Sequence, residues 1–230
     1  MKEHIERRNP VLRARRDAVA AWFDLHPRQL AALPDDVVMA MAARLDGDGR
    51  LNDRLAELRS TAQRWEVLAR TDALTGLANR RAAEERLTQE IDRAARYSHP
   101  LTVLLADIDG FKAINDRHGH PAGDAVLREL ATRLQRVVRA TDLLARWGGD
   151  EFVVICPETD DAAAAQVAGK LVRVARHGIE AGDVMVDCGL SVGWTTAFAA
   201  DLDARRLVRA ADQALYRSKQ AGRGRATGTR

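Results

Sequence analysis

The chain has 230 residues, 46% of them hydrophobic, which suits one ordinary domain plus a smaller segment and is too apolar for a disordered chain. The net charge of +3 is mild, and the arginines are interspersed with acids, which argues little for a nucleic-acid-binding surface. No apolar run approaches the roughly 20 residues that cross a bilayer, and the opening MKEHIERRNPVLRARR has no apolar h-region, so neither membrane span nor secretory signal is expected and the cytosol is the expected compartment.

Residues 1–47 read as helical, because DAVAAWFDL and PDDVVMAMAARL place apolar residues at helical spacing. HPRQLAALPDD, with two prolines, reads as a break between them. No chemical motif stands in this segment. LDGDGR (45–50) is a turn or linker. In the linker segment 48–70, Leu51, Leu55, Leu58, Ala62, Trp65 and Ala69 then recur at spacings of four and three, an a/d seam. That seam is either one face packed on its own domain or a short parallel coiled coil joining two chains.

From residue 71 to 225 helices and strands alternate, followed by a short tail, 226–230. NRRAAEERLTQEIDRAARY is an amphipathic helix, and LTVLLADID is a buried strand ending in acids. PAGDAVLRELATRLQRVVR is a second helix. DLLARW and EFVVIC are strands with glycines between them, a hairpin signal. TDDAAAAQVAGKLVRVAR is a helix capped by Thr159 or Asp160. VMVDCGLSVGW is strand-like, and DARRLVRAADQALYRSKQAG is a last helix stopped by Gly222. This order predicts an α/β (α+β) domain with a mostly antiparallel sheet. Cys156 and Cys188, isolated in apolar strands, read as reduced core thiols.

Two acidic pairs attract chemistry. Asp107 and Asp109 end the first strand and share a face if the strand runs that far. Followed by Gly110, they make either a simple turn or a Mg²⁺ site, since Mg²⁺ takes one or two carboxylates and leaves room for phosphate and water. Asp150 and Glu151 lie beside Gly148 and Gly149, where a missing Cβ lets a ligand approach the backbone. If the two strands are neighbours, Asp107 and Asp150 face one metal, and a nucleoside triphosphate is the natural ligand. Only four of the 36 Lys and Arg residues are lysines, Lys2, Lys112, Lys170 and Lys219. Lys112 falls in the expected loop after Asp107. Lys219 and Arg223 follow the last helix, where they either grip phosphate or merely suit a helix C-terminus.

RWGGDEF (146–152) resembles the signature of the GGDEF domain, the diguanylate cyclases, and DALTGLANRR (72–81), DIDGFKAINDRHGHPAGDAVL (107–127), SVGW (191–194) and ADQALYRSKQAGRGR (211–225) resemble its other motifs in order. The resemblance covers about residues 70–225. It implies a palm-like βαββαβ fold, similar to nucleotidyl cyclases, behind an N-terminal helical segment. It implies condensation of two GTP to cyclic di-GMP and two pyrophosphates in a homodimer, each domain holding one GTP and two Mg²⁺ (or Mn²⁺) ions. By that resemblance Asp107, Asp150 and the carbonyl of Ile108 bind metal. Asp150 accepts the proton, with Glu151 close enough to share the role, and Lys112 steadies phosphate charge. Gly110 and Phe111 offer backbone N–H groups, while Asn115 and Asp124 read guanine. His120 touches substrate, Gly149 leaves room for base or ribose, and Lys219 and Arg223 hold the terminal phosphate. Arg139 and Asp142, an R-x-x-D pattern shortly before the glycines, resemble the family's product-inhibition site. The same residues also admit a silent module that binds GTP or cyclic di-GMP without turnover. A polymerase relative is disfavoured by Asn115, Asp124, Lys219 and Arg223.

Overall fold

The computed structural model describes residues 10–23, 25–47, 60–61, 67–198 and 203–229. They fall into two compact units, Met1–Trp65 and Glu66–Arg230. Of the heptad seam only Ala69 falls within the described residues. No helix among them is long and apolar enough to cross a membrane.

The N-terminal unit holds α1 (Pro10–Phe23), α2 (Pro27–Ala32) and α3 (Asp35–Gly47). Its small core is Val19, Val38 and Ala42, with Leu25, Leu30 and Leu33 packed on it. The buried Arg16 donates to the carbonyls of Leu30 and Leu33 and pairs with Asp35. It thereby satisfies carbonyls that the end of a short helix leaves open. The proline-flanked break read from the sequence therefore contains one short helix of its own.

The C-terminal unit runs α4 (Arg80–Tyr97), β1 (Leu101–Asp109), α5 (Phe111–His118), α6 (His120–Gln135), β2 (Leu143–Arg146), β3 (Glu151–Pro157), α7 (Asp161–Ala175), β4 (Ile179–Ala181), β5 (Val184–Val186), β6 (Gly189–Ala197), α8 (Ala204–Gln220) and β7 (Ala226–Gly228). The sheet order is β2-β3-β1-β6-β7, antiparallel except for the parallel pair β6–β7. Helices cover both faces, which explains why β1 reads as a continuous apolar run although its neighbours are antiparallel. Leu104, Ala106 and Ile108 face α6 and α7, whereas Leu101, Val103 and Leu105 face α4 and α8. Cys156 and Cys188 are free and buried, and burial pushes both thiols up, Cys188 to about 11.

Strand alternation then places the acids. Asp107 continues the face of Val103 and Leu105, and Glu151 continues that of Val153 and Ile155, so both sit toward α8. Gly193, on the same face of β6, lets α8 come down on the sheet. A Cβ there would strike the backbone of α8 at Ala211, Ala214 and Leu215. Asn79, Asp160 and Asp203 cap α4, α7 and α8 by accepting the N–H of Ala82, Ala163 and Arg206.

Three segments differ from the sequence reading. FKAINDRH is helix α5 rather than a loop, started by Gly110 in the left-handed region at φ 72°. VMVDCGLSVGW divides into β5 and β6, and β5 forms a separate hairpin with β4. Within the segment 226–230, read as a tail, Ala226–Gly228 adds a strand beside β6, because its backbone groups find the open edge of that strand.

Candidate active site

The hairpin of β2 and β3 turns at residues 147–150, with Trp147 N–H donating to the Glu151 carbonyl. Beside it, Asp107 lies directly across from Glu151 in the β1–β3 register and from Ser191 in the β1–β6 register. Asp150 is tied in through its backbone, where its carbonyl accepts the Ile108 N–H at 3.2 Å. The strand end and the hairpin tip are thus neighbours, as the sequence required for a shared site. Lys219 reaches down from the last turn of α8, and its Nζ lies 2.7 Å from Asp107 Oδ2.

The electrostatics follow from this crowding. Burial raises the Asp107 carboxyl above its ordinary range; Lys219 offsets part of the rise, while Asp150 and Asp109 add to it. Burial likewise raises Glu151, with Asp107, Asp150 and Asp212 adding to the rise and Lys219 opposing it. The acids therefore repel one another, and a bound cation relieves that repulsion. Among the described residues no three His, Cys, Asp or Glu side chains close into a metal cage. Asp107, Asp150 and the Ile108 carbonyl nevertheless suit Mg²⁺, which leaves several of its ligand positions to phosphate and water.

The other residues singled out in the sequence fall on three sides. Lys112 is exposed in the first turn of α5, whose N–H groups lack partners within the helix. Gly110 and Phe111 begin that helix, a favourable place for phosphate. Asn115 on α5 packs against Gly123 of α6, the residue before Asp124. Among the described residues Asp124 makes a long pair with Arg128, at 3.9 Å. His120 is exposed at the start of α6. Gly149 is exposed, and a Cβ there would touch nothing, so packing does not require the glycine. Trp147 is part-buried against the core under the guanidinium of Arg80, 4.6 Å from the ring centre. A groove of about 460 Å³ opens between Glu151, Asp212, Tyr216, Lys219 and Gln220.

Arg223 stands in the loop after α8, with φ 59°. Two bonds fix that loop: Ser218 O accepts Arg223 N–H at 3.2 Å, and Asp109 Oδ2 accepts Gly224 N–H at 2.8 Å. The other Asp109 oxygen accepts the Ser191 hydroxyl at 2.6 Å. Asp109 is a fastener, a role the sequence reading did not give it. Nor did that reading assign Arg146 and Asp72. Arg146 Nη1 sits 3.2 Å from both Asp72 oxygens, and its Nη2 donates to the Gly149 carbonyl at 2.7 Å. The available signal was the D-x-x-T spacing, since Asp72 Oδ1 accepts both the N–H and the hydroxyl of Thr75.

Arg139 and Asp142 lie away from these acids, in the turn before β2. Asp142 Oδ2 accepts the backbone N–H of Arg139 at 2.9 Å, and among the described residues Arg139 joins no ion pair. They border a recess of about 460 Å³ shared with Gly76, Leu77 and Leu143.

The family model described as diguanylate cyclase, GGDEF domain, matches residues 69–225, which span the hairpin, the loop that carries Arg223 and every strand of this sheet but the edge strand β7. The chain belongs to the GGDEF family. Diguanylate cyclase DgcP of Pseudomonas aeruginosa is 35% identical over 215 residues, 92% of this chain and 32% of DgcP. The coiled coil and GGDEF domain of DgcB from Caulobacter crescentus, solved in complex with c-di-GMP, superposes with a TM-score of 0.73 at 31% identity, covering 79% of this chain and 98% of that one. Diguanylate cyclase SiaD of P. aeruginosa, solved with its activator SiaC, gives a TM-score of 0.69 at 29% identity over 99% of this chain and 87% of SiaD. The chain spans between 21% and 38% of the length of the first curated relatives it matches. This GGDEF domain keeps Gly148, Gly149, Asp150, Glu151 and Phe152, the five letters that give the family its name.

Proposed function

We propose that this GGDEF domain is a diguanylate cyclase that condenses two GTP into cyclic di-GMP and two pyrophosphates. The observation that carries the reading is the meeting of Asp107 with the hairpin acids Asp150 and Glu151 next to Lys219. Such a cluster suits a triphosphate and its metal. When bound, Mg²⁺ or Mn²⁺, two per site, neutralises phosphate charge and acidifies the attacking hydroxyl.

The chain's own residues do the rest. Asn115 and Asp124 accept from the guanine edge. Backbone N–H groups at the start of α5 and the Lys112 ammonium steady the phosphates. Lys219 and Arg223 hold the terminal phosphate, and Gly149 leaves room for the ribose. The 3′-oxygen of one GTP bonds to the α-phosphorus of the other as the bond to pyrophosphate breaks. The hydroxyl proton passes to Asp150, with Glu151 close enough to share the role. The second bond forms in the same way with the roles exchanged. Because each domain holds one GTP, the working form is a homodimer with two domains face to face.

Two regulatory features belong to this reading. Arg139 and Asp142, beside their recess, bind cyclic di-GMP as an inhibitor, the arginine gripping phosphate or base in bidentate fashion. The linker 48–70 and the N-terminal helices set the dimer geometry. Support for the latter is that the likeness to SiaD, solved with its activator, extends over 99% of this chain. The deciding experiment is incubation with GTP and Mg²⁺ followed by chromatography. Cyclic di-GMP and pyrophosphate are expected; nucleotide binding without turnover would make the protein a receptor instead.

A further inference from the structure

The turn that carries Arg223 is held by hydrogen bonds and not by burial. Gly222 and Arg223 are both exposed, so no packed core fixes them. Gly222, Arg223 and Gly224 in succession take positive φ, of 111°, 59° and 56°. Glycine enters that region freely and arginine does not, so the backbone at Arg223 must be constrained from outside. Asp109 supplies part of the constraint through the Gly224 N–H. A further bond reaches the same residue from another element: Arg176 Nη2 donates to the Gly224 carbonyl at 2.8 Å. Gly224 is thus gripped through both of its backbone groups, by a carboxylate at the end of β1 and by a guanidinium at the C-terminus of α7. The carboxylate is itself seated, because Gly189 lies opposite Asp109 in the β1–β6 register and a Cβ there would come within 2.6 Å of Asp109 Oδ2. Arg176 is exposed, and among the described residues it joins no ion pair. Ordering a long side chain for one surface bond adds little to the core. What it orders is the backbone next to Arg223.

We propose that Arg176 is a positioning residue for Arg223: by holding the Gly224 carbonyl it fixes the direction in which the Arg223 guanidinium leaves the turn. The inference rests on the cyclase reading, in which Arg223 holds the terminal phosphate, and deepens it. Arg176 acts through the backbone and not on the nucleotide. With the carbonyl released, Asp109 alone restrains the turn, and Arg223 samples several directions that phosphate binding must then narrow to one.

The test uses the full chain with Mg²⁺ and two ligands. One is α,β-methylene GTP, which cannot release pyrophosphate, and the other is GMP, which lacks the outer phosphates. Arg176→Ala should weaken the calorimetric affinity for α,β-methylene GTP about threefold to tenfold, the cost of re-ordering roughly one long side chain on binding. Affinity for GMP should not change. Arg176→Lys should recover most of the loss, because one carbonyl needs one donor and not a fork. Adding Arg176→Ala to Arg223→Ala should weaken binding no further. The melting temperature should move by less than about 2 °C, as for an exposed side chain. Unchanged affinity for α,β-methylene GTP would overturn the proposal. So would an equal loss for GMP, a loss that adds to that of Arg223→Ala, or an Arg223→Ala variant that binds α,β-methylene GTP as the wild type does. If the wild type binds these ligands and makes no cyclic di-GMP from GTP, the cyclase reading fails on its own, and the same affinities still decide the role of Arg176.

Discussion

Arg146 joins the turn at Asp72 to the tip of the hairpin. One guanidinium nitrogen faces both carboxylate oxygens of Asp72 at 3.2 Å, and another binds the Gly149 carbonyl at 2.7 Å, one residue before Asp150. A single planar side chain therefore holds the loop that carries a candidate catalytic acid and the segment where the C-terminal unit begins. Lysine cannot copy this, because it offers a point charge in place of a fork. Arg146→Ala should cost roughly 2 kcal/mol of stability and, by loosening the tip, about tenfold or more in cyclic di-GMP formation. Denaturant melts and product chromatography on the same preparation check both, with Arg146→Lys expected to recover little.

The same pair predicts a pH dependence. Burial alone would raise Asp72, but bonds from Thr75 and Arg146 outweigh it and hold the carboxyl below its ordinary range. A group depressed in the fold contributes stability above its unfolded pKa and loses it as pH falls through the folded one. The stability gap between wild type and Asp72→Asn should therefore be full near pH 7 and shrink below about pH 4. Thermal melts of both proteins across that range measure it; a gap that is flat with pH would remove the charge from the account.

Asp150→Ala should abolish detectable cyclic di-GMP while leaving the melt within about 0.5 kcal/mol of wild type, because the side chain is part-exposed and its backbone bond to Ile108 survives. Chromatography and calorimetry decide between a catalytic and a structural acid. Normal turnover in this variant would refute the assignment.

Asp109→Ala should act at a distance. Losing its bonds to Gly224 and Ser191 frees the loop of Arg223, so KM for GTP should rise severalfold, with a smaller effect on saturated turnover. Steady-state kinetics against Arg223→Ala test this. The two variants together should do no more than Arg223→Ala alone.

For the second recess, Arg139→Ala should relieve inhibition by added cyclic di-GMP without changing the initial rate. An inhibition curve identical to wild type would detach the recess from the product.

For the linker, Leu55→Glu with Leu58→Glu should lower activity at modest protein concentration and restore it at high concentration. Sedimentation velocity reads the accompanying loss of dimer, and an unaltered dimer would remove the coiled-coil reading.

Much of the domain was legible in sequence because its signals are local. Continuous apolar runs marked β1 and β3, period-3.6 patterns marked α4, α6 and α8, and glycines between two strand runs marked the hairpin. Helix α5 was not legible, since FKAINDRH has eight residues and a single buried apolar side chain, Ile114. Strand β7 was hidden for a related reason. ATG carries no strand pattern and becomes a strand because the edge of β6 lies beside it.

The sequence by itself determined the inventory of this site: two acidic pairs, rare lysines, paired glycines, and their order along the chain. Which residues share a space was decided by the tertiary structure. Register set Asp107 opposite Glu151, and the contact at Gly193 lowered α8 far enough for Lys219 to reach Asp107. The division of labour between Asp107 and Asp109 was decided there too, although the two stand alike at the end of one strand. One meets the lysine of α8, and the other is taken up by Ser191 and Gly224. The physical reason is that propensity and periodicity act over a few residues, whereas register, close approach and burial join segments distant in the chain, 82 residues apart for Ser191 and Asp109 and 115 for Gly224 and Asp109.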